Sequence, residues 1–252
     1  MDIYFFFPTV VDCFGLTVRT RQDTHGPLAL VDLAQVEYAL QDSNGYLERA
    51  TLSDAEQIYF RKFRYLKRRK EWLGGRIAVK AALQAGKKTD DVRQLSVLPN
   101  RYGLPIVGGG HGKTIDFSVS ISHSGGYAVA LAAEGQTACG IDLQRISDKL
   151  SSLTKYFASD RELTLLAGQS DYDRHTWLTM LWAVKECLKK SILHDQSVVF
   201  SETEVETILP VNGYTCHFTC TVQGQDAQAE VYLLPPYVLA ISQGSSQVPN
   251  HA

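Results

Sequence analysis

The sequence offers little that would tie it to a membrane, to nucleic acid or to an oxidising compartment. Its 252 residues carry a formal net charge of −2, which does not favour binding to nucleic acid. None of its apolar runs reaches the length that spans a bilayer, so we expect no membrane partner. Residues 1–8 are apolar, lack a basic leader and end at Pro8, so we expect a first strand there and no signal peptide.

Cysteine is scarce, and its placement argues against a disulfide framework. The five cysteines, an odd number, are Cys13, Cys139, Cys187, Cys216 and Cys220. Cysteines scattered in this way favour a reducing, cytoplasmic location. Cys216 and Cys220 share one face of a predicted strand beside His217, but a zinc site would need more ligands than these three.

Apolar periodicity predicts two long helical stretches among many short strands. The first stretch, residues 52–83, follows a shorter helix candidate at residues 28–40. Its Ser53 and Glu56 match a capping box, and Gly86 is a stop signal. The other predicted elements are a second helical stretch at residues 160–193 interrupted at 168–173, a Gly- and Pro-rich loop at 99–112, and strands at 119–123, 127–133, 140–146, 198–200, 205–209, 214–222, 229–234 and 237–241.

The two helical stretches contain a repeat. Residues 72–83 read WLGGRIAVKAAL and residues 177–188 read WLTMLWAVKECL, so that Trp, Leu, Ala, Val, Lys and Leu recur in register. Upstream, residues 53–56 (SDAE) resemble residues 159–162 (SDRE). Amphipathic helices can share letters by chance, but two of the three tryptophans of the chain align, which favours a true repeat.

The repeat predicts an α+β fold of two similar halves related by a pseudo-twofold axis. We assign residues 1–112 to the N-terminal half, residues 113–242 to the C-terminal half and residues 243–252 to a disordered polar tail. Binding sites often form where such halves meet, so we expect the active site between them. Because one chain then contains both halves, we expect a monomer.

The second helical stretch carries a polar face that the first stretch lacks. Trp182, Glu186 and Lys190 follow one another at intervals of one helical turn, beside an apolar stripe that includes Leu181. A Glu and a Lys at this spacing usually form a surface ion pair. The residue that aligns with Glu186 in the first stretch is Ala81, so the carboxylate is particular to the second half.

A predicted strand at residues 140–144 offers oxygen ligands for a cation. Asp142 and Gln144 point to the same side of this strand. Together with Glu186 they would form a site that suits Mg²⁺, which prefers a few protein oxygens completed by water and substrate phosphate. A strand end exposed to solvent could carry the same two residues.

Ser122 and His123 end another predicted strand and are followed by two glycines, a setting in which both could bind phosphate oxygens. Neighbours in a strand face opposite ways, so these two cannot form the nucleophile–base pair of a hydrolase. The Gly-x-Ser-x-Gly motif is also missing. The basic run at residues 61–70 is either a solvated helix face or a receptor for a terminal phosphate or an acidic partner.

Three motifs occur in a characteristic order and spacing: ISHS at residues 121–124, GID at residues 140–142 and WAVKECLKK at residues 182–190. Together they resemble the signature of 4′-phosphopantetheinyl transferases, and the chain is similar to the monomeric surfactin-synthetase type, a pseudo-dimer of two α+β halves. The resemblance implies a Mg²⁺-dependent enzyme that transfers the phosphopantetheine arm of coenzyme A to a serine of an apo acyl or peptidyl carrier protein. It also implies the release of 3′,5′-ADP.

The resemblance implies roles for the residues of the second half. Asp142 and Glu186 would ligate Mg²⁺, with Gln144 as a further ligand directly or through water. Lys190 and Lys185 would stabilise the charge that develops on the phosphate. The family often has Glu where this chain has Gln144, which makes the expected metal site less negative.

Coenzyme A binding is implied for residues nearer the N-terminus. His123, together with Ser122, would bind the 3′-phosphate. Further basic groups of the first half would contribute, and Arg61, Lys62 and Arg101 are the candidates. Arg101 stands close to a Gly-Leu-Pro sequence that replaces the Gly-Lys-Pro of the family.

Two other functions stay open on the sequence alone. A Mg²⁺-dependent nucleotide pyrophosphatase or phosphodiesterase could use the same ligands, and it would release free product without a carrier. A non-catalytic paralogue that binds carrier proteins or coenzyme A is the second alternative. Gln144 keeps this paralogue open, whereas Asp142, Glu186 and Lys190 count against it.

Overall fold

The chain divides into two compact units, each with its own sheet. The computed structural model describes residues 1–42, 44–86, 92–109, 116–135, 137–193 and 200–243. The N-terminal unit is Tyr4–Gly135, and the C-terminal unit comprises Gln136–Ala252 with Met1–Ile3. Within those described ranges, no helix combines the length and the apolar character needed to cross a membrane.

Helices and strands make up most of both units. The helices of the described ranges are α1 (Ile3–Phe6), α2 (Leu33–Asp42), α3 (Tyr46–Thr51), α4 (Asp54–Phe60), α5 (Leu66–Ala85), α6 (Asp160–Ala167) and α7 (Arg174–Ser191). The strands are β1 (Thr9–Cys13), β2 (Leu16–Asp23), β3 (Gly26–Asp32), β4 (Ser96–Pro99), β5 (Pro105–Gly108), β6 (Phe117–Ser124), β7 (Tyr127–Glu134), β8 (Cys139–Arg145), β9 (Thr203–Asn212), β10 (Thr215–Val222), β11 (Gln225–Leu234) and β12 (Tyr237–Gln243). Short 3₁₀ turns lie at Val92–Gln94, Asp148–Ser152, Thr154–Tyr156 and Phe200–Glu202.

Each unit has a five-stranded antiparallel sheet with a long helix packed on it. The N-terminal unit has the antiparallel order β1-β2-β3-β7-β6, with β4 and β5 as a separate hairpin. The C-terminal unit has the antiparallel order β8-β12-β11-β10-β9. Helix α5 packs on β3 and β7, and helix α7 packs on β8 and β12. The predicted α+β fold of two similar halves is therefore confirmed.

The boundary between the units falls after Gly135 and not near residue 112. Strands β6 and β7 belong to the N-terminal unit because β7 pairs with β3, where Leu30 lies opposite Val129. Both of these side chains are buried. The pairing of strands that are far apart in sequence decides where a unit ends, and no local pattern near residue 112 reports it.

Two local predictions in the first forty residues are wrong. The first apolar run contains the short helix α1 instead of a strand, and the burial of Phe6 and Phe7 outweighs the strand propensity of the aromatic run. Residues 28–40 divide between β3 and α2. The apolar run in β3 is buried without a break, and such a run has no periodicity that separates strand from helix.

Most of the remaining predicted elements are confirmed. The second helical stretch is interrupted as expected, since α6 ends at Ala167 and α7 begins at Arg174. The first stretch is also interrupted, between Phe60 and Leu66, and the predicted loop at residues 99–112 contains β5. Residues 198 and 199 of one predicted strand, and residues 244–252 of the predicted tail, lie outside the described residues.

A capping box begins α4 in the N-terminal unit and α6 in the C-terminal unit. Ser53 accepts a hydrogen bond at its hydroxyl oxygen from the amide of Glu56 (3.3 Å), and the Glu56 carboxylate accepts one from the amide of Ser53 (2.8 Å). Ser159 and Glu162 form the same pair of bonds at 3.1 and 2.9 Å. These bonds satisfy amides at the helix start that have no partner within the helix.

The capping glutamates also take part in buried ion pairs. Glu56 Oε2 accepts a hydrogen bond from Lys80 Nζ (2.6 Å), and its Oε1 accepts one from the amide of Val97 on β4 (2.9 Å). Glu162 repeats both contacts in the C-terminal unit, as described with the site below. Burial lowers the pKa of the Lys80 ammonium, and the negative charge of Glu56 opposes that shift.

None of the five cysteines forms a disulfide, and all five are buried. Cys216 and Cys220 lie in the core that α7 and the β9–β12 strands enclose. Burial raises the pKa of Cys220 to about 12 and that of Cys216 to about 11. These thiols therefore act as small apolar groups of the core.

Candidate active site

Strand β8 and helix α7 approach each other closely at Gly140. A Cβ added to this glycine would clash with the backbone carbonyl oxygen of Cys187 on α7. The Cys187 thiol donates a hydrogen bond to the Gly140 carbonyl oxygen (3.3 Å). Only a residue without a side chain allows this approach, and it brings the polar face of α7 against β8.

Lys190 is the last charged residue of that face, and it contacts β8 directly. Its Nζ donates hydrogen bonds to Asp142 Oδ1 (2.7 Å) and to the carbonyl oxygen of Ile141 (2.8 Å). Asp142 is 5% exposed, so the carboxylate is nearly removed from solvent. The structure thus brings together Asp142 and Lys190, which are distant in sequence and were both predicted site residues.

Glu186 lies one turn before Lys190 on α7. Burial raises the pKa of the Glu186 carboxyl, and the negative charge of Asp142 raises it further, while Lys189 and Lys190 oppose this. Lys189 Nζ is 3.9 Å from Glu186 Oε1. The predicted apolar stripe next to these residues is buried at Leu181, where the helix faces the core.

The cluster fits a divalent cation. The charge of Asp142 raises the pKa of Glu186, an effect that a nearby cation would offset, and carboxylate oxygens are ligands that Mg²⁺ prefers. Among the described residues, no group of three or more His, Cys, Asp or Glu side chains could hold a metal. An ion at Asp142 and Glu186 would therefore need neutral oxygens as well. Gln144, half-buried and two residues beyond Asp142 on β8, can offer one.

Lys185 does not belong to this cluster. Its Nζ donates hydrogen bonds to Glu162 Oε2 (2.8 Å) and to the carbonyl oxygen of Phe200 (3.3 Å), and both charged side chains are buried. Glu162 Oε1 accepts a further bond from the amide of Val205 (2.9 Å). Lys185 is next to Glu186 in sequence, but neighbours in a helix point about 100° apart, so the two side chains leave α7 in different directions.

His123 and Ser122 lie at the end of β6 in the N-terminal unit. The His123 side chain is exposed, and its Nδ1 is 4.0 Å from Glu71 Oε1 on α5. Ser122 is buried, as expected for the neighbouring residue of a strand. The structure therefore presents the imidazole to solvent and does not bring the Ser122 side chain to the same face.

The three basic candidates of the N-terminal unit are exposed. Arg61 ends α4 at its C-terminus, and Lys62 Nζ lies 4.7 Å from the centre of the Tyr59 ring. The Arg101 guanidinium lies 4.6 Å from the centre of the Tyr102 ring. Their charges are thus available to an anionic ligand.

Three residues of these sites were missed in the sequence. Gly140 is the first residue of the GID motif. Its close contact with the backbone of α7 depends on the tertiary structure and could not be predicted from the sequence. Lys189 adds a second ammonium beside Glu186, and Glu71 contacts His123. Lys189 could have been recognised from the sequence, since it lies within the WAVKECLKK motif. No sequence pattern pointed to Glu71.

Comparison with known proteins identifies the family. Residues 138–242 match the family model of the 4′-phosphopantetheinyl transferase superfamily, and residues 64–133 match that of the 4′-phosphopantetheinyl transferase N-terminal domain. The chain is also 30% identical over 103 residues to the holo-[acyl-carrier-protein] synthase of Acholeplasma laidlawii (strain PG-8A). That match covers 39% of this chain and 87% of the relative.

The chain belongs to the 4′-phosphopantetheinyl transferase superfamily. It is a transferase enzyme of this family, and the N-terminal domain match agrees with the surfactin-synthetase type. The predicted family and enzyme class are confirmed.

Proposed function

We propose that the protein transfers the 4′-phosphopantetheine arm of coenzyme A to a serine of an apo carrier protein, in a reaction that requires Mg²⁺ and releases 3′,5′-ADP. The observation that carries the proposal is the partly buried cluster of Asp142, Glu186 and Lys190, which lies within the range matched by the superfamily. The similarity to a holo-[acyl-carrier-protein] synthase supports an acyl carrier protein as the acceptor.

Asp142 and Glu186 would hold the metal ion, with Gln144 as a neutral ligand. When bound, Mg²⁺ would offset the charge of the coenzyme A pyrophosphate. Lys190 Nζ has a third N–H beside the two that it donates to Asp142 and Ile141. We assign this N–H to a phosphate oxygen, where it stabilises the charge that develops during transfer.

Glu186 is the proposed proton acceptor. Its ionised carboxylate lies one helical turn before Lys190 and can accept a proton from an attacking hydroxyl. The serine hydroxyl of the carrier gives its proton to Glu186 while its oxygen forms a bond to the β-phosphorus. The bond between that phosphorus and the oxygen of 3′,5′-ADP breaks, and the 3′,5′-ADP leaves with the electron pair. Lys189 and Lys190 stabilise the negative charge of this step.

His123 is proposed to donate a hydrogen bond to the 3′-phosphate of coenzyme A, because its imidazole is exposed at the end of β6. Arg61, Lys62 and Arg101 are the proposed sources of further positive charge. Ser122 is buried on the other face of the strand, so we assign it the support of the β6 backbone instead of a direct contact.

The test is intact-protein mass spectrometry of an apo acyl carrier protein incubated with this protein, coenzyme A and MgCl₂. We expect a mass gain of one phosphopantetheine arm, which EDTA abolishes and excess Mg²⁺ restores. Asp142→Ala should slow the appearance of this gain about 100- to 1,000-fold. Glu206→Gln is the matched control, because this carboxylate is on the same unit but on the surface, paired with Arg161.

Failure of the test has two distinct forms. Breakdown of coenzyme A without labelling of the carrier would indicate a nucleotide pyrophosphatase or phosphodiesterase. Binding of coenzyme A or of the carrier without any chemistry would indicate a non-catalytic paralogue. Full activity of both Asp142→Ala and Glu186→Gln would refute the assigned cluster while leaving the family intact.

A further inference from the structure

A polar pocket of about 310 Å³ opens in the N-terminal unit at one end of strands β2, β3 and β7. Arg19, Leu30, Asp32 and Tyr127 line it. Arg19 lies opposite Leu30 and Tyr127 lies opposite Asp32, so these four side chains share one face of the sheet. Val31, which alternates with them along β3, is buried in the core that includes α5. The pocket is therefore on the face of the sheet that is turned away from α5.

This position separates the pocket from the residues proposed for phosphopantetheine transfer. His123 lies opposite Ala128 on β7, and Tyr127 precedes Ala128, so the imidazole and the Tyr127 ring leave opposite faces of the sheet. The imidazole approaches Glu71 of α5. The proposed metal cluster belongs to the other unit. The pocket is thus not part of the site described above.

Arg19 and Asp32 bring opposite charges into this pocket without pairing with each other. Both side chains are half-buried, and neither forms an ion pair with any residue that the structure describes. Arg19 is directly opposite Leu30, and Asp32 is two residues beyond Leu30 on the same strand. Such diagonal neighbours are about 7–8 Å apart. A small ligand that carries both an anionic and a cationic group can therefore reach both side chains.

Both charged groups are held in place and keep hydrogen-bonding capacity. Arg19 Nη1 donates to the carbonyl oxygen of Phe7 (3.4 Å), and the guanidinium lies 4.5 Å from the centre of the Tyr4 ring. Most of the N–H donors of the guanidinium remain, because it has five. Asp32 Oδ1 accepts a hydrogen bond from the amide of Ala34 (2.8 Å), and no described residue donates to its Oδ2.

Neutral donors line the same pocket. Gln35 Oε1 accepts a hydrogen bond from the amide of Thr17 (3.1 Å), which leaves the N–H groups of Gln35 Nε2 for another partner. Neither Nε2 nor the Thr17 hydroxyl has a partner among the described residues. Thr17 precedes Arg19 by two residues and shares its face of β2. These donors and the guanidinium together suit the two oxygens of a carboxylate.

The rest of the wall is apolar. Leu30 is 2% exposed, and the rings of Tyr4 and Tyr127 meet edge to face with their centroids 6.1 Å apart. Their two hydroxyl groups are hydrogen-bonded to each other. Pockets for drug-sized ligands measure about 300–1,000 Å³, so this pocket is at the small end of that range. Its size and its wall suit a ligand as small as one amino acid.

We propose that this pocket binds a free α-amino acid with an apolar side chain. The ligand carboxylate accepts hydrogen bonds from Arg19 and Gln35, and the ligand ammonium donates to Asp32. The side chain lies against Leu30 and the tyrosine rings. A ligand with only one charge would leave Arg19 or Asp32 without a counter-charge, whereas an amino acid satisfies both.

The experiment is isothermal titration calorimetry of the full chain with L-leucine, L-valine and L-phenylalanine, without coenzyme A or Mg²⁺. A pH of about 6.5 keeps the α-amino group protonated. Two analogues of leucine each lack one charge: L-leucinamide has no carboxylate and 4-methylpentanoate has no ammonium. We expect saturable binding of one leucine per chain. Each analogue should bind at least tenfold more weakly, because it loses a charge-assisted hydrogen bond.

Two variants assign the charges to residues. Arg19→Gln should lose the preference for leucine over leucinamide, and Asp32→Asn should lose the preference for leucine over 4-methylpentanoate. The amide oxygen of Asp32→Asn can still accept the hydrogen bond from Ala34, so this variant keeps that contact. Arg174→Gln removes an exposed arginine of the other unit and is the matched control, with unchanged affinity for leucine. Far-ultraviolet circular dichroism checks that each variant is folded, and the analogue series tests the proposal on the unaltered chain.

The possible results support or overturn the proposal as follows. Binding of leucine that the two analogues and the two pocket variants weaken as stated supports it. The absence of saturable binding of all three amino acids refutes it, as does unchanged affinity in both pocket variants. Equal binding of either analogue refutes the amino acid as the ligand class. Displacement of leucine by coenzyme A would assign the pocket to the coenzyme A site instead. None of these results tests the transfer reaction, which carrier labelling measures separately.

Discussion

The two units of this chain share their structural interactions and differ in their chemistry. Each has a capping box, and in each the capping glutamate accepts a hydrogen bond from a buried lysine and from the amide of a valine in the next strand. The lysines, Lys80 and Lys185, occupy the same place in the repeat. Within the described residues, the carboxylate cluster occurs in the C-terminal unit alone. We therefore infer that the interactions which both units share stabilise the fold and do not take part in the chemistry.

The difference between the units lies in the residues of the cluster. Glu186 and Lys190 align with Ala81 and Ala85 of the first helical stretch. Asp142 lies on β8, opposite Ala240 of β12. Two alanines of one helix are thus replaced by a carboxylate and an ammonium in the other, and Asp142 completes the cluster. The comparison separates the residues of the site from those of the scaffold.

The largest effect is expected when the shared ion pair is broken. Lys80→Met and Lys185→Met each leave a buried glutamate without its ammonium and should lower the free energy of unfolding by about 3–5 kcal/mol. Urea denaturation followed by circular dichroism measures this change. Lys67→Met, at an exposed lysine, is the control and should have no comparable effect.

The same experiment separates fold from catalysis at Lys185. We expect the folded fraction of Lys185→Met to retain most of its kcat, because the ammonium does not reach the Glu186 cluster. A variant with normal stability and no activity would show that this lysine acts in the reaction.

The next effect concerns the carboxylates of the cluster. Glu186→Ala gives α7 the residue of the N-terminal unit, Asp142→Ala removes the second carboxylate, and each should lower the transfer rate about 100- to 1,000-fold. The rate is measured from carrier labelling under single-turnover conditions. Far-ultraviolet circular dichroism should stay unchanged, because α5 accommodates alanine at the place that corresponds to Glu186. Loss of folded structure would mean that the cluster also supports the scaffold.

A substitution at Gly140 would test whether the site depends on the close approach of β8 and α7. Gly140→Ala introduces a Cβ against the carbonyl oxygen of Cys187 and should cost about 1–3 kcal/mol of stability. It should also lower the transfer rate, because Asp142 and Lys190 would move apart. The control is Gly213→Ala, where an added Cβ meets no atom within 4 Å. An equal loss of stability in both variants would contradict this account.

The smallest effect is expected at the helix caps. Ser53→Ala and Ser159→Ala each remove a capping hydroxyl and should cost about 1 kcal/mol in thermal unfolding. Ser159 should cost slightly more, because its hydroxyl also donates to the carboxylate of Glu204 (2.8 Å), whereas Ser53 bonds the neutral hydroxyl of Ser96. Serine to threonine at either position retains the cap and should restore stability.

Sequence patterns predicted the features that depend on nearby residues. The capping boxes, the interruption between α6 and α7 and the face of Glu186 and Lys190 all follow from spacings within one or two helical turns. The sequence patterns did not predict strand β3, because its run of apolar residues has no periodicity. Lys185 was expected to stabilise the charge that develops on the phosphate, and the structure shows its ammonium in a buried ion pair with Glu162.

The repeat already contained a signal for the structural contact of Lys185. A lysine that recurs at Lys80, in a half without the carboxylate cluster, points to the fold. Its partner could not be recognised in advance as an ion-pair partner, because Glu162 also matched a capping box and the two roles leave the same pattern in the sequence.

The sequence by itself determined the family, the two-half architecture and the identity of the cluster residues, because motifs and helical spacing are local properties. The tertiary structure alone decided which side chains meet. Lys190 reaches Asp142 only because Gly140 lets α7 lie against β8, and β7 belongs to the N-terminal unit only because it pairs with β3. The pocket that contains Arg19 and Asp32 arises in the same way, since α1, α2 and three strands supply its walls.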